Sequence, residues 1–435
     1  MNQPWRRSGA RLLFSVGAGA IGLLLLDATV PRMSSLVSGF PYDFIVELVT
    51  ARGYLDHVNP FTDAGARALQ LPQRFGDSGT GHPPSTSFWA LPLARLTPSA
   101  ANAVVGWITV LLLLVEMIGT FTSLGWPAVL PASWLAFTYV LSCSFMQVHL
   151  AAGQLSGAIG FLYFVSWRAG RRGDELLSGT ALGLACTMKL FPGAVALLLV
   201  ARRRWTALIS AAVAYLAIAA VMTSRFGLSS WPFFLRKQSA IASIWMASIQ
   251  NQSIHGVVLR MFRPACEARH GLVPAATFVA TGISVGLLAL AVRWTSRRRG
   301  AGRGGAEEAD VSFALFVVLS IITSPWSWEH YTVIYVLPAA ILLDRLARSL
   351  AAGDHRVRTK VMLLLVIAVI ATWQIDLGIK LRLGRSVVGG HREDHVALHV
   401  FEVLSWAPGY LLALLLFWLA RVDYLRRLAH ASNPT

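Results

Sequence analysis

The sequence predicts an all-α polytopic membrane protein, and three observations predict it. Hydrophobic residues make up 55% of the 435 and charged ones only 14%, and the mean hydropathy of +0.58 is far above that of a soluble domain of this size. The apolar residues gather in runs of about 20, the length that crosses a bilayer as a helix. The arginines fall between those runs in short clusters, such as Arg171 and Arg172, Arg202 to Arg204, and Arg297 to Arg299. This is the distribution of cytoplasmic loops under the positive-inside rule, not a basic stripe interleaved with aromatics. The formal net charge of +17 therefore speaks for topology and against a nucleic-acid partner.

The runs predict helices near residues 11–30, 101–120, 127–147, 154–168, 206–224, 273–294, 311–323, 331–347, 360–378 and 398–420. Arg6, Arg7 and Arg11 precede Leu12–Leu26 as in a signal peptide, but Asp27 and Pro31 follow without a small-x-small site, so the first helix is expected to be retained. Residues 176–201 are one span long, yet both flanks are basic; two half-helices broken at "KLFPG" return both to the cytoplasm, with Pro192 and Gly193 supplying the break. Residues 83–97 are too short to span and predict a second re-entrant element or an interfacial helix. The total is about 10–12 transmembrane or re-entrant helices in one integral domain, residues 1–435.

With the N-terminus inside, the basic loops 168–175, 202–205, 295–303 and 345–360 and the tail "RVDYLRRLAH" all fall on the cytoplasmic face, so both termini are expected there. Segments 31–100, 148–153, 225–272, 324–330 and 379–397 then lie outside, and 297–310 reads as a linker. Cys143, Cys186 and Cys266 are far apart and indicate neither disulfides nor a zinc site.

The outer segments carry the informative polar residues: Asp43, Glu47 and His82; His149 and Gln154 in "HLAAGQ"; Gln250, Asn251, Gln252, Ser253 and His255 in "SIQNQSIHG"; Trp326, Trp328, Glu329 and His330 in "SPWSWEHY". Polar groups at membrane depth are costly unless they line a cavity, so their concentration argues for a site. A helix over 42–55 puts Asp43, Glu47, Thr50 and Tyr54 on one face, and Phe44, Ile45, Leu48, Val49 and Leu55 on the other. Such a helix is expected to lie flat at the outer interface, its carboxylates turned to the outer compartment or to a cavity beneath. The plainer alternatives are that Asp43 only charges the first turn of that helix, that His330 is an interfacial histidine, that Trp326 and Trp328 are belt aromatics, and that Glu393 and Asp394 sit in a solvated loop. No Walker loop, GxGxxG, HExxH, GxSxG or DxD pair is present, and no cofactor or metal is called for.

Six stretches, in order, resemble glycosyltransferase family 87, the polyprenol-phosphate-sugar-dependent group with the C-type membrane fold: "YDFIVE", "HPP" ahead of "LPLARL", "GQLSGAIGFLYFVSWRAGRR", "GTALGLACTMKLFPGAVALLLVARRRW", "NQSIHGVVLRM" and "SPWSWEHYTVIYVLPA". The resemblance spans residues 40–345. It implies a membrane glycosyltransferase that moves a sugar, mannose before arabinofuranose, from a polyprenyl-phosphate donor to a glycan or glycolipid hydroxyl on the outer face of a bacterial plasma membrane. It also implies that Asp43 is the general base and that His330 stands near the donor phosphate. Gln154, Asn251 and Gln252 are then candidate donor contacts and Trp328 a wall against sugar or prenyl chain; Glu47, His82, Glu329 and Tyr331 are further substrate contacts. The sequence departs from the family in having Tyr331 where a second histidine is frequent and His82 where a tyrosine is common. The main rival is a transporter or flippase of lipid-linked substrates, for which broken helices are also diagnostic.

Overall fold

The computed structural model describes residues 4–39, 43–69, 81–126, 129–248, 251–262, 272–296, 303–351, 357–372, 407 and 409–422. Gln250, Cys266, Glu393 and Asp394 lie outside the described residues. All regular structure among the described residues is helical. Pro98–Leu124, Trp205–Phe226 and Val273–Thr295 are long and apolar enough to cross a membrane. Two bent pairs bring the number to five: Ser15–Asp27 with Thr29–Val37, and Val129–Ser142 with Ser144–Ala152. The protein is an all-α polytopic membrane protein.

In chain order the helices are α1 (Pro4–Val37), α2 (Phe44–Leu55), α3 (Asp63–Ala68), α4 (Pro98–Leu124), α5 (Val129–Ser142), α6 (Ser144–Ala152), α7 (Ser156–Arg172), α8 (Glu175–Met188), α9 (Ala196–Ala201), α10 (Trp205–Phe226), α11 (Ser230–Trp245), α12 (Ile254–Met261), α13 (Leu272–Thr295), α14 (Arg303–Ile322), α15 (Val336–Ala351), α16 (Val357–Thr372) and α17 (Gly409–Val422). Three 3-10 turns, Thr86–Leu93, Phe191–Val195 and Glu329–Tyr335, interrupt them. Local chemistry sets the ends. Thr97 accepts from Ala100 N, with Pro98 at the first helical position, so α4 starts there. Asp174 accepts from Leu177 N at 3.0 Å and starts α8 directly after α7.

The segment 175–201 breaks at Lys189 and Leu190, just ahead of Pro192. Its two ends lie together: Arg204 Nε, three residues past α9, donates to Glu175 Oε1 at 3.0 Å, and Ser210 Oγ donates to Leu176 O at 3.1 Å. The chain therefore runs out along α8 and returns to its starting end through the 3-10 turn and α9. α8 and α10 approach closely because Gly179 and Gly183 face the backbone of Ala207 and Ala211, a small-residue contact that lets helix backbones meet.

Three expectations are corrected. The α2 helix is not a surface helix, since every residue from Phe44 to Ala51 is buried, Glu47 and Thr50 included. Its apolar side packs on Ala90, Ala94, Ala101 and Val105, and Arg52 ties it down by donating to Ala94 O and Leu96 O at 2.8 and 2.7 Å. The stretch 297–310 is not all linker, because α14 begins at Arg303. Its acidic residues are held by distant partners: Asp310 accepts from the Trp167 indole at 2.8 Å and Glu308 from Arg202 at 3.0 Å. Segments 148–153 and 225–272, expected to be outer loops, are helical over most of their described residues, holding the end of α6, α11 and α12.

A methyl group at Gly179 would sit 1.9 Å from Ala207 O, whereas one at Gly193 meets nothing within 4 Å. Gly179→Ala is expected to cost about 1–3 kcal/mol by overpacking and to lower the thermal unfolding midpoint in detergent. Gly193→Ala leaves the midpoint where it is.

Candidate active site

The site is built around the break after α8. A helix that ends inside a protein leaves carbonyls without partners, and the 3-10 turn Thr86–Leu93 with its flank supplies them. Ser85 Oγ donates to Thr187 O at 3.0 Å, Thr86 Oγ1 to Met188 O at 2.9 Å, and the Trp89 indole to Thr187 Oγ1 at 2.9 Å. These bonds fix the backbone that presents Lys189.

Lys189 is buried. Its Nζ donates to Gln154 Oε1 at 2.8 Å and to Tyr331 Oη at 3.0 Å, and lies 4.2 Å from the centroid of the Tyr331 ring. The other end of the same amide, Gln154 Nε2, donates to Asp43 Oδ2 at 2.5 Å. One amide thus separates a carboxylate from an ammonium. Asp43 itself stands at the start of α2, its backbone N–H bonded to Ala152 O at 3.1 Å where α6 ends. It makes no side-chain capping bond, so serving as a helix cap does not account for its carboxylate. Among the described residues Oδ1 has no hydrogen bond, and the residue is partly open to solvent.

Burial pulls the Lys189 ammonium down to about 7, and the negative charges of Asp43 and Glu47 partly oppose that shift. Burial, reinforced by the Lys189, His149 and His82 charges, holds His330 well below the ordinary histidine range. His330 is therefore a neutral imidazole whose ring lies 4.7 Å from that of Tyr331; its Nε2 is buried without a partner. Burial and then the Asp43 charge raise the Tyr331 phenol, which keeps its proton. His149, in the last turn of α6, is buried with both ring nitrogens unpartnered.

The second carboxylate is closed off. Glu47 is buried, so it does not face water; its Oε2 accepts from Ser87 Oγ at 2.8 Å, and its Oε1 pairs with His82 Nδ1. Asn251 has a structural task. Its Nδ2 donates to Met246 O and Pro325 O, both at 2.9 Å, and its Oδ1 accepts from Ser253 N at 3.1 Å and Ser327 N at 3.0 Å. All four of these side-chain hydrogen bonds are to backbone groups, two of them on the segment 325–327, which leaves little of the amide for a ligand. The Gln252 backbone N–H adds a bond to Ser327 O at 2.6 Å. Trp328 is partly buried just ahead of the 3-10 turn Glu329–Tyr335, and Glu329 accepts from Ser144 Oγ at 3.2 Å.

Of the candidates read from the sequence, Asp43, Gln154, Tyr331 and His330 converge on one point, with Glu47 and His82 forming a pair beside them. Lys189 is the residue sequence reasoning missed as a functional group, having been read only as part of a helix break. The signal was available: it is one of four lysines, in the middle of an apolar run, where an ionisable residue marks a site by default. No three His, Cys, Asp or Glu side chains converge as a metal-binding group among the described residues.

A model of glycosyltransferase family 87 matches residues 81–325, more than half of the chain. The chain belongs to glycosyltransferase family 87. It is a membrane glycosyltransferase, which sets aside the transporter or flippase reading. The part matched to family 87 holds Gln154, Lys189, Asn251 and Gln252, while Asp43, Glu47 and His330 lie beyond its ends. A comparison with curated proteins gave no match.

Replacing Asn251 by Ala leaves the buried N–H groups of Ser253 and Ser327 without this acceptor, while Pro325 O keeps Ser253 Oγ as a donor at 3.0 Å. Unsatisfied buried groups cost about 1–3 kcal/mol each. Asn251→Ala is expected to lower the unfolding midpoint by more than Gln252→Ala does, and thermal unfolding of the two purified variants checks it.

Proposed function

We propose that this glycosyltransferase transfers a sugar, mannose before arabinofuranose, from a polyprenyl-phosphate donor to a hydroxyl of a glycan or glycolipid on the outer face of a bacterial plasma membrane. The observation that carries the proposal is the hydrogen-bonded line from Asp43 through Gln154 to Lys189 and Tyr331. It puts a proton acceptor with one open oxygen next to a buried cation. A lipid phosphate leaves as a stable anion and needs no proton, unlike the alkoxide released in glycoside hydrolysis, where two carboxyl groups are required. One base and one anion-stabilising group suffice.

In the proposed reaction the acceptor oxygen attacks the anomeric carbon as the carbon–oxygen bond to phosphate breaks, with inversion. The hydroxyl proton passes to Asp43. The negative charge that collects on the departing phosphate is met by the Lys189 ammonium and by an N–H of His330, in surroundings of low dielectric where such contacts are strong. Gln154 holds base and cation at a fixed separation, and Trp328 walls the sugar or prenyl chain. The outer-face assignment is supported by the length of α8: its 14 residues, about 21 Å, separate Lys189 from the arginine-rich turns at its other end, and arginine-rich turns belong on the cytoplasmic side.

In proteoliposomes supplied with radiolabelled polyprenyl-phosphate mannose, Asp43→Asn is expected to lose transfer by roughly 100-fold or more, with donor binding retained. Full activity in the variant overturns Asp43 as the base. Lys189 supplies positive charge only while protonated, and its value is lowered. Transfer limited by Lys189 should therefore be present below about pH 7 and decline as pH rises through it. Lys189→Arg, which stays charged, is expected to flatten that decline, and Lys189→Met to abolish transfer at every pH.

A further inference from the structure

A cavity lies at the opposite end of α8 from Lys189. Its volume is about 1140 Å³, and it opens where α7 and α9 end and where α8, α10 and α14 begin. Five arginines line it, Arg171, Arg172, Arg202, Arg203 and Arg204, against two carboxylates, Glu175 and Asp310. Three of the arginines have carboxylate partners: Arg204 with Glu175 and Arg202 with Glu308, each at 3.0 Å, and Arg171 with Asp310 at 3.4 Å. Arg172 and Arg203 form no ion pair among the described residues, and both are exposed. The cavity therefore carries excess positive charge.

Further features fit an anion. Arg204 Nη2 is buried without a hydrogen-bond partner, in the space that Gly170 leaves, where a methyl group would come within 2.8 Å of its guanidinium. The 22-residue α10 begins at this cavity with neither a side-chain cap nor an acidic residue in its first turn, so its first N–H groups and its dipole favour a negative ligand. The turn between α9 and α10 holds Arg203 at a φ of 52°, a left-handed conformation uncommon outside glycine. A positive-inside bias needs arginines near the membrane surface; it does not need them gathered around one cavity with an unmet buried donor.

We propose that this cavity binds a phosphate group, either the diester of an anionic phospholipid head group or a free phosphate anion. Arginine forks match phosphate oxygens in pairs, and basic pockets between membrane helices take phospholipid head groups. The volume leaves room for more than a single phosphate. This inference does not depend on the proposed catalytic roles of Asp43 or Lys189.

The test is thermal unfolding of the purified full-length chain in a neutral detergent. Phosphatidylglycerol or phosphatidylcholine is added in one arm; in the other, sodium phosphate is compared with sodium chloride at equal ionic strength. Ligand that binds only the folded state raises the midpoint. Phosphatidylglycerol is expected to raise it well beyond phosphatidylcholine. The double variant Arg172→Gln with Arg203→Gln alters two exposed, unpaired side chains and should fold; it is expected to need roughly tenfold more lipid for the same shift. A shift with phosphatidylglycerol alone assigns a lipid head group, and a shift with sodium phosphate as well assigns the free anion. Equal effects of the two lipids with no response to phosphate overturn the proposal, as does a shift of equal size in the double variant. If the double variant does not fold, the two wild-type arms still decide.

Discussion

The burial of one ammonium group organises the centre of this protein. A cation taken out of water is costly unless hydrogen-bond acceptors and opposite charge meet it. Lys189 finds Gln154 Oε1, Tyr331 Oη and the Tyr331 ring face, with Asp43 one amide away. Those partners come from the chain after α6, the 3-10 turn before α15 and the start of α2, segments distant in sequence that meet around this charge. The bonds from Ser85, Thr86 and Trp89 to the end of α8 hold the carrier of the charge still. A cation that no partner neutralises outright keeps its capacity to meet an incoming anion.

The break and return of the chain over 175–201 fit the same need. A lysine within a straight apolar helix would have to reach water or be stranded; a lysine at a break lies where the backbone already departs from the helix and other segments can approach. Pro192 ends the possibility of continuing α8, and Gly179 and Gly183 let α8 lie against α10. The Arg204–Glu175 pair then closes the base of the loop. Packing, break and charge are thus one arrangement, and disturbing the base should be felt at the tip.

Much of this was legible in the sequence and some was not, for physical reasons. Apolar runs and arginine clusters report membrane helices directly, because lipid enforces both. The Pro192–Gly193 pair marked the break for the same reason. Periodicity put Glu47 and Thr50 on one face of α2, but a polar face looks alike whether it meets water or an internal site, and here it is buried. Residues 303–310 looked like a linker because Glu307, Glu308 and Asp310 are solvated in most contexts. Their partners, Arg345, Arg202, Arg171 and Trp167, are distant in sequence, and no local pattern reveals them. Asn251 reads from the sequence as a donor contact, whereas in the structure its amide bonds to the backbone of Met246, Ser253, Pro325 and Ser327.

Two carboxylates sit close together on α2, and the structure distinguishes them. Glu47 has both oxygens engaged, by Ser87 and His82, so taking up a proton would disrupt bonds that hold the 3-10 turn to the helix. Among the described residues Asp43 has one oxygen engaged, and the donor there is a neutral amide. A proton arriving at the open oxygen would leave that bond in place while removing the negative charge. Protonation at Asp43 is therefore a local event, whereas protonation at Glu47 would loosen the scaffold. In the proposed reaction Asp43 is then the group that takes the proton and Glu47 the one that holds position, with Gln154 bonded to both Asp43 and Lys189.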